Sequence, residues 1–166
     1  MKVDFISGME KGIASLHTQG AFLTVKDNDK VNTMTISWGS IGFMWQKPIF
    51  IAMVRKSRYT TELIEGADSF TISIPYGSDM KNALTICGTK SGRDLDKARA
   101  AEISFVPSNA VASPIVDKCN MYYECKIVYK QPMDKEMLMP EIKKSMYSDN
   151  DYHTLYYGEI IACYEK

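Results

Sequence analysis

Hydrophobic and polar positions alternate with a period of two over much of the chain, which predicts a mainly β protein. Residues 21–26 (AFLTVK) read as a strand, and Asp27, Asn28 and Asp29 as the turn pairing it with a second strand over 31–38. Along 31–38, Val31, Thr33, Thr35 and Ser37 fall on one face, and Asn32, Met34, Ile36 and Trp38 on the other. A loop with two glycines, 39–43 (GSIGF), and a turn at Gln46, Lys47 and Pro48 come next. They lead to IFIAMV (49–54), a continuous apolar run of strand length expected to be buried on both sides. SFTISIP (69–75) alternates with Phe70, Ile72 and Ile74 facing inwards, and EISFVP (102–107) reads as a further strand. Residues 120–131 alternate over a length that suits a strongly bent barrel strand, and TLYYGEIIACYE (154–165) is the last strand.

Between the strands the period changes. Residues 60–65 predict a short helix closed by Gly66. Ser78 can cap a helix through Met80, Ala83, Leu84 and Cys87, with Gly88 at its C-terminal stop. A polar loop follows, then a short helix over 94–101 that Asp94 can cap. Residues 133–147, with four methionines and an internal Pro140, read as a helical excursion with no assignable function. Little precedes the first strand. The elements together predict a small β-barrel with helical excursions, a single domain over 1–166.

Charge narrows the function classes. Twenty basic and 20 acidic side chains give a formal net charge of zero, which argues against a broad nucleic-acid or anionic-membrane surface. No apolar run approaches the roughly 20 residues of a membrane span, and no signal-peptide core begins the chain, so a cytoplasmic protein is expected. Cys87, Cys119, Cys125 and Cys163 form no CxxC pair and no zinc-spaced cluster with histidine; they read as reduced structural thiols.

One stretch carries candidate chemistry. The buried run 49–54 ends in Arg55, Lys56, Ser57, Arg58, Tyr59 and Thr60, where a helix begins. Free N–H groups at a helix start favour anions, and Arg and Lys add charge-assisted hydrogen bonds, so a phosphate-bearing ligand is the natural expectation. A solvated strand end is the plain alternative, as a polar strand face is for Thr33, Thr35 and Ser37.

Four blocks in order resemble the flavin reductase-like family, especially its flavoredoxin-type branch: NTMTISWGS (32–40), KSRYT (56–60), CGTKSGRDLDK (87–97) and HTLYYGEI (153–160). The resemblance implies an FMN-binding split β-barrel, usually a homodimer with the flavin near the subunit interface. It further implies that Asn32, Thr33, Met34, Thr35, Ser37, Trp38 and Ser40 line the flavin ring. Residues 55–60, Arg55, Lys56, Ser57, Arg58, Tyr59 and Thr60, would hold the ribityl phosphate. The loop with Ser91, Arg93 and Lys97 would close over the cofactor, and His153 would lie near the nicotinamide position. Three functions remain open at this level. One is an NAD(P)H-dependent FMN reductase transferring hydride to flavin N5, with free flavin as a possible acceptor. Another is an electron carrier with tightly bound FMN and a protein redox partner. The third is a non-catalytic FMN-binding or structural barrel.

Overall fold

The computed structural model describes residues 3–166, in which a seven-stranded antiparallel sheet wraps around one apolar core. Its strands are β1 (Ala21–Asp27), β2 (Lys30–Ile36), β3 (Gly39–Met44), β4 (Lys47–Arg55), β5 (Ser69–Ile74), β8 (Met121–Pro132) and β9 (His153–Glu165), in the spatial order β2-β1-β5-β8-β9-β4-β3. The short strands β6 (Phe105–Val106) and β7 (Ile115–Val116) pair separately. The helices are α1 (Met9–Thr18), α2 (Tyr59–Gly66), α3 (Lys81–Thr89), α4 (Lys97–Ala100) and α5 (Pro140–Met146). No helix among the described residues is long and apolar enough to cross a membrane.

The alternation explains which strand faces meet. Leu23, Val25, Met34, Phe50, Ala52, Val54, Phe70, Ile72, Ile74, Tyr123, Cys125 and Tyr156 form the buried interior that the sheet encloses. Gly158 lets β9 approach this core, because a Cβ there would lie 2.6 Å from both Cys125 Cβ and Phe70 Cζ. β5 is buried on its other face as well: Thr71 Oγ1 donates to Pro114 O, and Ser73 Oγ accepts from Val116 N. A second apolar cluster there joins Phe22 and Tyr122 to Ala83, Leu84 and Cys87 of α3. β8 bends through two register shifts against β9, one between Glu124 and Cys125 and one between Ile127 and Tyr129.

Several expectations are corrected. Residues 39–44 are not a loop but strand β3, paired with β4 from Gly39↔Ala52 to Met44↔Lys47. The turn is Trp45 and Gln46, both at positive φ (52° and 57°), and Pro48 lies inside the edge-side pairing of β4. β4 is not buried on both sides: Phe50, Ala52 and Val54 are inside, whereas Ile51 and Met53 are only partly covered. Ser78 caps no helix, since α3 starts after Met80; Gly88 lies within α3 against Thr35 rather than beyond its end. Asp96, not Asp94, caps the next helix by accepting from Arg99 N. α1 precedes the first strand, where the sequence pattern predicts no element.

Candidate functional site

The sheet's two terminal strands, β2 and β3, are joined directly through Ser37 and Trp38 but do not pair with one another. A cavity of about 290 Å³ opens beside that connection, lined by residues 34–38 (Met34 to Trp38), by Met53 and Arg55 of β4, and by Arg58 and His153. A second cavity of about 130 Å³ lies next to it, at the N-terminal end of α2 and under the 89–93 loop. Met34 and Arg58 line both, so the two cavities adjoin and together make up the cleft.

The second cavity is lined by Asn32, Ser57, Tyr59, Thr60, Thr89, Ser91 and Gly92, with the cations Arg58, Lys90, Arg93 and Lys97. No carboxylate is among its lining residues. Arg58 is the residue before α2 and makes no side-chain cap; its carbonyl accepts from Thr61 N at 2.9 Å, while the Tyr59 and Thr60 N–H groups have no partner among the described residues. Its Nη1 donates to Gly88 O at 3.0 Å, leaving its other donors without a partner among the described residues. Lys97 is buried and donates to Thr33 O and Cys87 O, both at 2.9 Å, clamping β2 to α3. Burial pulls the Lys97 ammonium below its ordinary range, a shift to which the charge of Arg58 adds. Arg93 pairs with Glu62, donates to Ser57 O at 3.3 Å and lies over the Tyr59 ring. Gly92 packs so closely that a Cβ would lie 2.2 Å from Asn32 Oδ1. Asn32 in turn donates to Thr60 Oγ1 at 2.8 Å.

Around the first cavity, Arg55 is already committed. Its Nη1 donates to both Asp149 carboxylate oxygens (3.1 and 2.9 Å) and to Asp151 O (3.2 Å), and its Nη2 to Met146 O (2.8 Å). Ser57 is committed too, with its N–H and hydroxyl donating to the Asp151 carboxylate at 3.1 and 2.5 Å. His153 is buried, pairs through Nδ1 with Tyr147 Oη at 2.8 Å, and has the half-exposed Trp38 ring 5.4 Å away. Burial, followed by the charge of Arg55, pushes the His153 imidazole down to about 4, so it is neutral near pH 7.

The cleft therefore gathers most of the sequence candidates but not all. Asn32, Met34, Thr35, Ser37, Trp38, Arg55, Ser57, Arg58, Tyr59, Thr60, Ser91, Arg93, Lys97 and His153 line it. Three stand apart. Thr33 is fully buried, its hydroxyl accepting from Thr24 Oγ1 and donating to Leu23 O. Ser40 is exposed on β3, and Lys56 is exposed outside both cavities. On the hydroxyl face of residues 31–38, Thr35 donates to Leu84 O at 2.6 Å, fastening α3 to the strand, while Thr35 and Ser37 also line the first cavity. Residues the sequence reading missed are Met53, Thr89, Lys90 and Gly92 in the lining, and Tyr147, Asp149 and Asp151 behind it. Met53 could have been found by its two-residue spacing from Arg55, and Thr89, Lys90 and Gly92 by their place beside Ser91. The other three had no local signal.

The comparisons with known proteins agree with this architecture. The family model described as flavin reductase-like domain matches residues 13–166. The flavoredoxin of Desulfovibrio vulgaris (Miyazaki F) is similar in structure, with a TM-score of 0.70, 25% identity, and coverage of 90% of this chain and 70% of that one. Flavoredoxin from Methanosarcina acetivorans matches with a TM-score of 0.68, 26% identity, and coverage of 89% and 68%. An FMN-binding domain of a flavin reductase-like enzyme from Shewanella baltica OS155 shares the fold, with a TM-score of 0.67 at 18% identity over 93% and 73% of the two chains. With the family model spanning nearly the whole chain and the split barrel recurring in these structures, the protein belongs to the flavin reductase-like family.

Proposed function

We propose that the protein holds one FMN along the cleft and accepts hydride from NAD(P)H onto it. The observation that carries this reading is the adjacency of the two cavities at Met34 and Arg58, with cations and hydroxyls but no carboxylate lining the smaller one. That donor set suits a phosphate monoester. Arg58 supplies an incompletely used guanidinium, Lys90 an exposed ammonium, and α2 the N–H groups of Tyr59 and Thr60. Lys97 and Arg93 contribute field and loop position, because their own donors already serve main-chain carbonyls and Glu62. The wider cavity, with residues 34–38 on one side and Met53 beside them, suits the ring system.

When bound, the flavin supplies the hydride-accepting centre, and the protein's work is placement and exclusion of water. No acid–base dyad is required for such a transfer. His153, neutral and beside Trp38, lines the side from which a nicotinamide would enter. A single phosphate-sized basic cavity favours FMN over FAD. The reading includes a homodimer. Phe43 and Trp45 are 63% and 58% exposed on the β3–β4 hairpin, beside an apolar cleft of about 630 Å³ lined by Val3, Phe5, Pro48, Ile160 and Ile161. A surface of that kind is one that association would cover. It also includes a cytoplasmic setting, with which the free state of all four cysteines is compatible.

The likeness to two flavoredoxins favours a second reading, an electron carrier that receives electrons from a protein partner. Anaerobic mixing of the FMN-loaded protein with NADH and with NADPH in stopped flow separates the two. Rapid bleaching of the flavin supports the reductase, and His153→Ala should then slow bleaching while FMN stays bound. Bleaching by dithionite alone supports the carrier.

A further inference from the structure

His153 is not held by its own strand alone. Tyr147, which ends the α5 excursion, is 3% exposed and places Oη 2.8 Å from His153 Nδ1, with the two rings nearly perpendicular at 84°. The phenol ring is fixed from both sides. Tyr152 stacks on it at 5.0 Å and 16°, and the Arg55 guanidinium lies 5.4 Å from its centroid. Arg55 is itself immobilised by Asp149, Asp151 O and Met146 O, and Asp151 is tied to Ser57. The segment from Met146 to His153 is thus a clasp closed on the β4–α2 junction.

The hydrogen bond can run in one of two directions, and the surroundings decide between them. If Nδ1–H donated to Oη, the buried phenol O–H would have no acceptor, since Tyr147 Oη has no other partner among the described residues. If the phenol donates to Nδ1, its buried O–H is satisfied and the ring proton must sit on Nε2, the nitrogen that is not buried. Burial raises the phenol above its ordinary range and depresses His153, so both groups are neutral at pH 7. Nε2 has no partner among the described residues and is not one of their buried unpaired polar atoms; it opens to the cleft.

We propose that Tyr147 is a positioning residue that locks His153 as the Nε2–H tautomer, so that the imidazole presents a hydrogen-bond donor to the carboxamide oxygen of a nicotinamide entering the first cavity. This rests on the reading that a nicotinamide enters there. The charged and titratable groups facing His153 are Arg55 from β4, Arg58 ahead of α2, and Asp149, Asp151 and Tyr147 from the clasp.

The test is the long-range ¹H–¹⁵N spectrum of the imidazoles in flavin-free protein, followed from about pH 8 to about pH 4. The chain has two histidines, so His153→Asn assigns the signals. Wild type should show the Nε2–H form throughout the neutral range. Tyr147→Phe keeps the ring and removes the donor; it should give mixed tautomers and a midpoint moved towards the ordinary value of about 6.5. In the FMN-loaded protein, the same change should lower the rate of reduction by NAD(P)H about tenfold and leave FMN affinity within about twofold. A wild-type ring protonated on Nδ1, or a variant with unchanged tautomer and midpoint, overturns the proposal. A variant that does not fold leaves the wild-type spectrum to decide. Failure of the cofactor reading shows separately, as absence of FMN uptake by wild-type protein.

Discussion

Replacing Arg58 by alanine tests the phosphate end of the cleft most sharply. Its guanidinium stands where the two cavities meet and spends only Nη1 within the protein, on Gly88 O. A charge-assisted hydrogen bond to phosphate contributes about 1.5–3 kcal/mol, which corresponds to a Kd for FMN weaker by about 10- to 150-fold. The internal bond to Gly88 is half-buried and should be worth about 0.5–1.5 kcal/mol, so the melting temperature should fall by only a few degrees. Arg58→Lys keeps the charge and loses the planar fork, and should fall between the two. Calorimetric titration with FMN and with riboflavin is the assay, because riboflavin has the ring and ribityl chain without the phosphate. Arg58→Ala should lose affinity for FMN and leave riboflavin nearly unchanged. An FMN affinity equal to wild type would remove Arg58 from the phosphate site, and Lys90 would be the next cation to test. Equal losses for both ligands would mean that Arg58 acts on the ring cavity or on the fold of α3.

Three further outcomes are expected. Gly92→Ala places a methyl against Asn32 and Tyr59, so the 89–93 loop must shift; FMN affinity measured by fluorescence quenching should drop, with a strain cost of about 1–3 kcal/mol. Stability should fall as pH drops from about 6.5 towards 4, because the unfolded chain binds a proton at His153 that the folded protein refuses. The slope of unfolding free energy with pH is positive in that window, the total is at most about 3 kcal/mol, and urea melts of His153→Asn should lack it. Light scattering at micromolar concentration should report a dimer, and Trp45→Glu with Phe43→Asp should shift it to monomer; a monomeric wild type with FMN bound would contradict the dimer.

How far the sequence reached depended on whether a signal was local. Alternation located β1, β2, β5, β8 and β9, because each has an interior face whose apolar residues recur every second position. It misled at β3, where GSIGFM has two glycines and mostly exposed or half-exposed positions. The following turn also carries Trp45 and Gln46 at positive φ, instead of the Asn-Gly pair that normally marks it. α1 escaped notice since it begins at an αL glycine without a side-chain cap and has a glycine, Gly12, on its buried face against Tyr123. The basic cluster was legible as a junction of strand and helix, but its division of labour was not. Arg55 and Ser57 bind acidic partners 94 residues away in sequence, which left Arg58 as the guanidinium with donors to spare. Tyr147 is only six residues from His153, but no sequence pattern marks their contact, which lies beside the bond from Arg55 Nη2 to Met146 O.

The central claim is that the cleft takes a flavin mononucleotide by its phosphate as well as its ring. Titrating purified wild-type protein, stripped of any bound chromophore, with FMN, riboflavin and FAD under identical conditions tests it directly. The account predicts a yellow stoichiometric complex with FMN, and binding at least about tenfold weaker for riboflavin, which lacks the charge-assisted contacts. FAD should also bind more weakly, since the phosphate site proposed in the second cavity would take one phosphate. Protein that stays colourless at saturating FMN, or that binds riboflavin as tightly as FMN, would contradict it.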